Sequence, residues 1–194
     1  MNNINIFFKS FKFFSKTLSS SLKILIFFLI FIPLIVFNFS GCSQMVDTKI
    51  YFAKYEDNTT YLAPEIRPVL KDENFYKNII DELIKGPKSE QLLPTIPSTV
   101  AVNSVIIEDG LAIIDFSKEI ITDTSTIPHS STTENLAIFS IVDTLTEFTD
   151  IKKVRITVEG KQKGTIDGFY IEDFWGHVSI SEDFVRNEEI LMKN

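Results

Sequence analysis

The only cysteine of this 194-residue chain, Cys42, closely follows an apolar stretch at positions 24–39, and no other feature constrains the fold as much. The residues before it contain no acid, and their basic residues are Lys9, Lys12, Lys16 and Lys23. A basic segment, an apolar segment and small residues before a cut site are typical of a secretory signal. Ser40-Gly41-Cys42 is typical of a lipoprotein signal, so we expect cleavage between Gly41 and Cys42 and a lipid on the Cys42 thiol. With its one thiol occupied, the exported fold must be stable without a disulfide bond.

An uncleaved membrane anchor is the alternative interpretation of the same leader. Its apolar stretch of 16 residues falls short of the ~20 residues that a membrane-spanning helix needs, and Pro33 would kink such a helix. Under either interpretation the four lysines keep the N-terminus inside. We therefore expect residues 42–194 to lie on the extracytoplasmic face of the cell membrane.

The charge of the exported part limits the kinds of partner and cofactor that it can bind. Residues 42–194 keep 15 of the 19 Lys and Arg residues and all 26 Asp and Glu residues, a net charge of −11. Nucleic acid is excluded as a partner, because phosphate binding requires a basic surface. The chain has no phosphate-loop or dinucleotide motif, and its two histidines, 48 residues apart, have no metal-ligand spacing. We expect no cofactor and no metal.

The exported part has the length of one ordinary domain. We expect a signal peptide at 1–41, a short membrane-proximal linker at 42–48, one domain at 49–186 and a charged tail at 187–194 that frays. In the first half, aromatic and β-branched residues predict a strand at 49–53. After a polar turn, Pro64 and Pro68 favour an edge strand over 61–70.

A helix is predicted over residues 73–85, with Asp72 to cap it and Gly86-Pro87 to end it. Its apolar residues recur at helical spacing and form one stripe, which we expect in the core. The residues of the stripe are Phe75, Ile79, Ile80, Leu83 and Ile84.

Asp109-Gly110 predicts a two-residue type I′ turn between strands at 99–108 and 111–116. Counting outward from the turn gives the pairs on each face of the hairpin. The face expected in the core pairs Ile107 with Ala112, Val105 with Ile114, and Asn103 with Phe116. The other face pairs Glu108 with Leu111, Ile106 with Ile113, and Ser104 with Asp115.

A second helix is predicted after a Ser/Thr-rich connection at 120–131. Ser131 and Glu134 have the spacing of a capping box, so the helix should run from about residue 132 to 149. Alternation predicts a half-buried strand at 153–159, and short extended pieces follow at 169–174 and 177–180. This order predicts an α+β fold with a mixed, mostly antiparallel sheet and two helices packed on one face.

From residue 62 to 186 the chain resembles the GerMN domain of sporulation and spore-germination lipoproteins. No single motif is specific, but their order and spacing together carry the resemblance. The motifs are Glu65-Ile66-Arg67-Pro68-Val69, Leu83-Ile84-Lys85-Gly86-Pro87, Leu93-Pro94-Thr95-Ile96-Pro97, the hairpin at 109–117, and the segments 141–148, 153–160 and 176–181. The resemblance implies a lipid-anchored, noncatalytic domain that binds or assembles in sporulation, germination or cell-envelope processes. The resemblance assigns no catalytic residue to this chain.

The mixed face of the hairpin is the predicted partner interface. Ile106, Leu111 and Ile113 lie on this face, which the core does not obviously need, so they could contact an envelope protein or peptidoglycan. The alternative is that a helix or the Phe-rich C-terminal segment covers them. Self-association into a homo-oligomer stays open.

The sequence offers two further candidate sites, one hydrolytic and one for binding sugar. Asp115, Glu119 and His129 are close in sequence and could form a small hydrolytic site on cell-wall polymers, although acids and a loop histidine are more often surface residues. An aromatic cluster could stack on a sugar, although core packing is the more common role of such residues. It comprises Phe169, Tyr170, Phe174 and Trp175.

Arg67, within an apolar strand, is predicted to form a structural ion pair with Asp115 or Glu147.

Overall fold

A computed structural model describes residues 44–192, which form two main sheets around two long helices. The first half of the chain contains β1 (Gln44–Glu56), β2 (Thr59–Lys71), α1 (Phe75–Ile84), β3 (Val102–Glu108) and β4 (Leu111–Phe116). The second half contains α2 (Glu119–Thr122), α3 (Ser131–Leu145), β5 (Lys153–Val158), β6 (Thr165–Ile166) and β7 (Phe169–Tyr170). Among these residues, no helix is both long enough and apolar enough to cross a bilayer.

The first sheet is a long antiparallel hairpin of β1 and β2. The two strands pair without a bulge from Gln44 opposite Lys71 to Glu56 opposite Thr59, and the turn residues Asp57 and Asn58 both have positive φ. Within residues 44–192, β2 has β1 as its only strand neighbour, so the predicted edge strand is confirmed.

The predicted linker at 42–48 is wrong for residues 44–48, because β1 begins at Gln44. Val46 packs on the core and Thr48 is buried, while their neighbours Met45 and Asp47 are exposed. This alternation continues that of Ile50 and Phe52, so the strand extends almost to Cys42.

The second sheet has the order β3-β4-β5, with β3 antiparallel and β5 parallel to β4. Five of the six predicted hairpin pairs are present. The pair of Asn103 and Phe116 is wrong, since a bulge at Asn103 places Val102 opposite Phe116. The bulge buries the apolar Val102 and lets the Asn103 amide donate to the Asp115 carboxylate at 2.8 Å.

The α+β class is confirmed, but the strands are divided between two main sheets instead of forming one. All five residues of the predicted α1 stripe are buried. The predicted cap at Asp72 is wrong, because Asn74 precedes the helix without a side-chain cap and the Asp72 carboxylate accepts the Asn74 backbone N–H at 2.9 Å. The helix begins at Phe75. The α1 helix therefore starts two residues after the predicted position.

Helix α3 is buried on nearly all sides because it packs against both main sheets. Leu136 joins Tyr51 and Leu62 of the first sheet in one apolar cluster, while Ile141 joins the core under the second sheet. The predicted capping box is wrong by one residue, since Ser130 caps the helix together with Thr133.

The C-terminal part differs most from the sequence-based expectation. The short helix α2 was not predicted, and it buries Ile120 and Ile121 completely. Residues 177–180 form no strand but a turn and an irregular segment. The tail does not fray before Met192, because Leu191 is buried and the chain on either side of it bonds to Leu62.

Candidate partner-binding surface

The predicted interface residues Ile106, Leu111 and Ile113 lie on the face of the second sheet that points away from the core; we call this the open face. Strand pairing places Ile106 beside Ile113, and Glu108 beside Leu111. The opposite face of β4 carries Ala112, Ile114 and Phe116, which are fully buried.

The open face is partly exposed within residues 44–192. Ile106 exposes 47% of its surface, and Leu111 and Ile113 are half-buried. Neither of the two long helices covers it, because both pack on the core side of the sheet. The described C-terminal segment covers only the margin beside β5, where Phe184 pairs with Val154.

Charged residues flank the apolar centre of the open face on β5. Arg155, opposite Ile113, forms a forked pair with Asp183, with Nε–Oδ1 at 2.6 Å and Nη2–Oδ2 at 2.9 Å. The Arg155 guanidinium holds the pKa of the Asp183 carboxyl below its usual value. Lys153, opposite Leu111, is exposed. A partner would therefore meet isoleucine and leucine flanked by the Arg155–Asp183 ion pair and Lys153 on one side and by Glu108 on the other.

Sequence reasoning did not assign Lys153, Arg155 or Val185 to this surface. Val185 is 56% exposed and follows Phe184 at the β5 edge of the sheet. The alternation of polar and apolar residues in 153–158 indicated a half-buried strand. It could not indicate that the polar side of this strand lies next to Ile113, because a parallel pairing of distant segments leaves no local signal.

The hydrolytic candidates are held in separate structural contacts. The Asp115 carboxylate accepts from Thr157 Oγ1 at 2.8 Å, from the Gly160 N–H at 2.6 Å and from the Asn103 amide. The Ser117 hydroxyl and the backbone N–H of Glu119 itself lower the pKa of the Glu119 carboxyl.

His129 stacks on Trp175 with ring centroids 4.4 Å apart, and its Nε2 lies 3.2 Å from the Asp123 carbonyl oxygen. Within residues 44–192, no hydrogen bond joins any two of the three hydrolytic candidates. The structure therefore does not bring them together as an acid and a base.

The aromatic candidates are divided between core and surface. Phe174 and Trp175 are buried, and the Trp175 indole donates to the Ile120 carbonyl at 2.7 Å. Phe169 and Tyr170, on the small β6–β7 hairpin, are 37% and 60% exposed. Only these two could contact a sugar without unfolding.

Glu134 has a role that sequence reasoning missed. This fully buried carboxylate accepts the backbone N–H groups of Trp175 and Val178 at 2.9 and 3.1 Å, and it contacts His177 Nδ1 at 2.9 Å. These bonds hold residues 175–178 in a turn against α3, which explains why the predicted strand at 177–180 does not form. The spacing of Ser131 and Glu134 predicted a helix cap, and no local pattern in the sequence indicates the contacts of Glu134 with residues 175–178.

Arg67 forms a structural ion pair, as predicted, but with other partners. Its guanidinium donates to Glu65 at 2.7 Å and to Glu82 at 3.2 Å, not to Asp115 or Glu147. Cys42 and Gly41, the predicted lipidation and cleavage residues, lie outside the described residues.

Comparisons with known proteins agree with this architecture. The family model Germane, described as sporulation and spore germination, matches residues 49–164. The spore germination protein GerM of Bacillus subtilis (strain 168) is 29% identical over 139 residues, which cover 69% of this chain and 34% of that protein. The chain thus spans about a third of the length of that relative.

The fold resembles a solved structure of tandem GerMN domains. The tandem GerMN domains of the sporulation protein GerM from Bacillus subtilis superpose with a TM-score of 0.59 at 24% identity, covering 80% of this chain and 51% of that one. The first GerMN domain of the same protein gives a TM-score of 0.48 at 25% identity, covering 69% of this chain and 97% of that one. The first of these likenesses supports the α+β fold.

Proposed function

Because the chain belongs to the sporulation and spore germination family Germane, we propose that it is an exported, lipid-anchored module that binds an envelope partner without catalysing a reaction. Its family makes it a GerM-like protein associated with sporulation or germination. The lipid anchor, the binding role and the absence of catalysis are the parts of the proposal that need experiments.

The proposed anchor is supported by the leader and by the start of the fold. The chain has one cysteine, and β1 begins at Gln44, two residues after it. A lipid on Cys42 would therefore hold the domain close to the membrane surface, two residues from the start of β1.

Labelling with palmitate tests this anchor. The wild-type chain should incorporate the label and fractionate with membranes, and Cys42→Ala should remove the label and leave the precursor uncut. Ser43→Ala, next to the modified residue, is the matched control and should be labelled normally. An unlabelled wild-type chain would contradict the anchor and leave the binding proposal standing.

The binding role depends chiefly on one observation, the exposure of Ile106 at the centre of the open face. An isoleucine that is about half exposed, beside two more apolar side chains and a rim of charged residues of both signs, is typical of an interaction surface. Burying the three side chains against a partner would contribute roughly 1 to 2 kcal/mol each.

A double substitution tests the open face. Ile106→Glu with Ile113→Glu places two charges on an apolar contact and should abolish recovery of crosslinked partners from intact membranes. Ile66→Glu is the matched control, because Ile66 is 57% exposed on β2, in the other main sheet. Both proteins should unfold at similar urea concentrations. Unchanged recovery of partners with the folded double variant would refute the open face as the binding site.

Peptidoglycan is the second candidate partner, on the strength of the exposed Phe169 and Tyr170. Aromatic side chains on a surface hairpin can stack on sugar rings. Tyr170→Ala should then reduce cosedimentation with purified peptidoglycan, while Tyr55→Ala, an exposed tyrosine on β1, should not. Equal cosedimentation of the wild type and both variants would remove this candidate.

A further inference from the structure

Strand β3 has an outer side whose backbone groups have no partner within residues 44–192. Glu108 and Leu111 close a two-residue turn, so they exchange backbone hydrogen bonds and the pattern alternates from there. Ile106 and Glu108 therefore direct their N–H and C=O groups to β4. Val105 and Ile107 direct theirs away from the sheet.

Helix α1 lies beside the first half of this edge. A cleft of about 190 Å³ separates them and is lined by Asn103, Ser104 and Val105 on the strand and by Tyr76 and Lys77 of α1. The lining of this cleft ends at Val105 and does not include Ile106 or Ile107.

The first sheet protects both of its edges. On β1, the N–H and C=O of Ala53 bond to Leu93, and the Tyr51 N–H donates to Thr144 Oγ1 at 3.0 Å. On β2, Leu62 bonds to the C-terminal segment. Pro64 lies opposite Tyr51, at a position where a backbone N–H would point outward, so this proline blocks the edge without removing a bond inside the hairpin.

Among residues 44–192, the second sheet has backbone partners at its β5 edge only. Val154 exchanges two backbone hydrogen bonds with Phe184, at 2.9 and 2.8 Å. Strand β3 contains neither proline nor lysine, the usual residues that prevent edge pairing, and its centre is Val105-Ile106-Ile107. This edge is suited to receive another strand.

We propose that two copies of this chain pair through antiparallel β3 strands, with the twofold axis at Ile106. In this register Val105 of one copy exchanges hydrogen bonds with Ile107 of the other, so the outward donors and acceptors of both residues are satisfied. The two Ile106 side chains become a direct cross-strand pair on the open face, with Cβ atoms ~4.5–5.5 Å apart.

Other registers fit less well. An axis at Ile107 places Glu108 opposite Ile106 of the second copy, and an axis at Val105 requires the bulged Asn103 to join the ladder. With the axis at Ile106, Glu108 lies opposite Ser104, so no like charges meet across the strands.

The pairing would join the two three-stranded sheets into one of six strands and unite the two open faces. One edge of seven residues buries much less than the ~1,200 Å² of a stable interface. We therefore expect a weak contact that forms when copies are concentrated on one membrane. This inference goes beyond the proposed binding role, because it concerns the strand edge and needs no other partner; the concentration of copies on a membrane rests on the proposed lipid anchor, which palmitate labelling tests separately.

Cysteine crosslinking of the full chain in intact membranes tests the pairing. Ile106→Cys should give a disulfide dimer on mild oxidation, and mass spectrometry should identify the peptide that links the two residues 106. Ile113→Cys is the matched control. It lies on the same face but one strand further from the axis, so its two copies are separated by ~14 Å. The wild-type chain, whose only cysteine is Cys42, is the control for any dimer that forms through Cys42.

Adding Val105→Pro to the Ile106→Cys chain removes one outward donor and no bond to β4, so the linked peptide should fall several-fold while the urea unfolding midpoint changes little. Absence of the 106–106 peptide from the single variant would overturn the proposal. Equal disulfide yields for Ile106→Cys and Ile113→Cys would overturn it as well. Both positions lie on the open face, so equal yields would mean that two copies stack through their open faces and not through the β3 edge.

The Ile106→Glu, Ile113→Glu protein does not separate the two proposals, because like charges would also meet at position 106 of the pair. Val105→Pro alone separates them, since it leaves the side chains of the open face unchanged: recovery of envelope partners at the wild-type level with this variant leaves the proposed function standing whether or not the copies pair.

Discussion

Arg67 shows how one charged side chain ties three segments of the chain together. It is 1% exposed, and its guanidinium contacts Glu65 of β2, both the carboxylate and the backbone carbonyl of Glu82 on α1, and the Gly86 carbonyl beyond the helix. It also lies 5.0 Å from the centre of the Phe52 ring. Only the planar, forked guanidinium can reach all these groups at once.

Replacing Arg67 with methionine should destabilise the protein, because the volume stays similar while two carboxylates and two carbonyl groups lose their donor. We expect the free energy of unfolding in urea to fall by about 2 to 4 kcal/mol. Arg155→Met is the control, since it breaks a pair on the exposed side of the sheet and should cost less than ~1 kcal/mol. Equal losses in the two variants would contradict the role assigned to Arg67.

Asp143 is a buried acid with an incomplete set of partners. Its Oδ1 accepts the Asn187 N–H at 2.9 Å, whereas its Oδ2 has no hydrogen-bond partner among the described residues. Burial raises the pKa of this carboxyl to about 6. The folded protein therefore binds this proton more tightly than the unfolded chain does.

The stabilising effect of the Asp143 proton is complete below the ordinary aspartate pKa and is lost as the pH rises to about 6. The Asp143→Asn protein cannot lose this proton. The difference between its free energy of unfolding and that of the wild type should therefore rise by about 2 to 3 kcal/mol from pH 4 to pH 7. Urea titrations of both proteins across this range measure the difference, and a difference that does not vary with pH would refute the assignment.

At the scale of elements, the C-terminal segment fastens the two sheets. Phe184 extends the second sheet through Val154, and Leu191 lies parallel to Leu62 of the first sheet. Between them, Arg186 donates to Glu147 at 2.7 Å and to the Asp143 carbonyl at 2.9 Å. A charged tail therefore acts as part of the core, since its few apolar residues meet apolar partners.

Leu191→Ala should destabilise the protein although the residue is the fourth from the end of the chain. Leu191 is only 8% exposed and packs with Leu62 and Leu136, so we expect a loss of about 2 kcal/mol in urea unfolding. Val185→Ala, at a residue that is 56% exposed in the same segment, should cost less than ~0.5 kcal/mol. Similar stabilities of Leu191→Ala and the wild type would mean that the tail does not contribute to the fold.

At the scale of the whole molecule, charge opposes association between copies. Residues 42–194 carry a net charge of −11, which repels a second copy at long range. The proposed β3 contact itself brings no like charges together, so screening should weaken the repulsion and leave the contact intact.

Raising the ionic strength from about 0.01 M to 0.15 M shortens the Debye length from ~30 Å to ~8 Å. The yield of the Ile106→Cys disulfide should then rise by about twofold or more. The measurement is the ratio of crosslinked to monomeric chain in isolated membranes at fixed oxidant. A yield that falls with salt would indicate that ion pairs, and not the β3 edge, hold the copies together.

Local chemistry along the chain was enough to predict much of this protein. The Asp109-Gly110 turn set the hairpin register, because a two-residue loop leaves only one pairing close to the turn. The α1 stripe was predicted in full, since helical periodicity depends only on residues a few positions apart. The acidic charge and the resemblance to GerMN domains likewise required no coordinates.

The tertiary structure decided what distant residues do to one another. It placed β5 parallel to β4, divided the strands between two sheets, gave Arg67 its partners and turned Glu134 toward Trp175. Each of these depends on segments far apart in the chain, where many pairings have similar local energies and only packing of the whole core selects one. The exposure of Ile106 and the β3 edge that the described residues leave unpaired belong to the same class, because a surface is defined by what the rest of the molecule leaves uncovered.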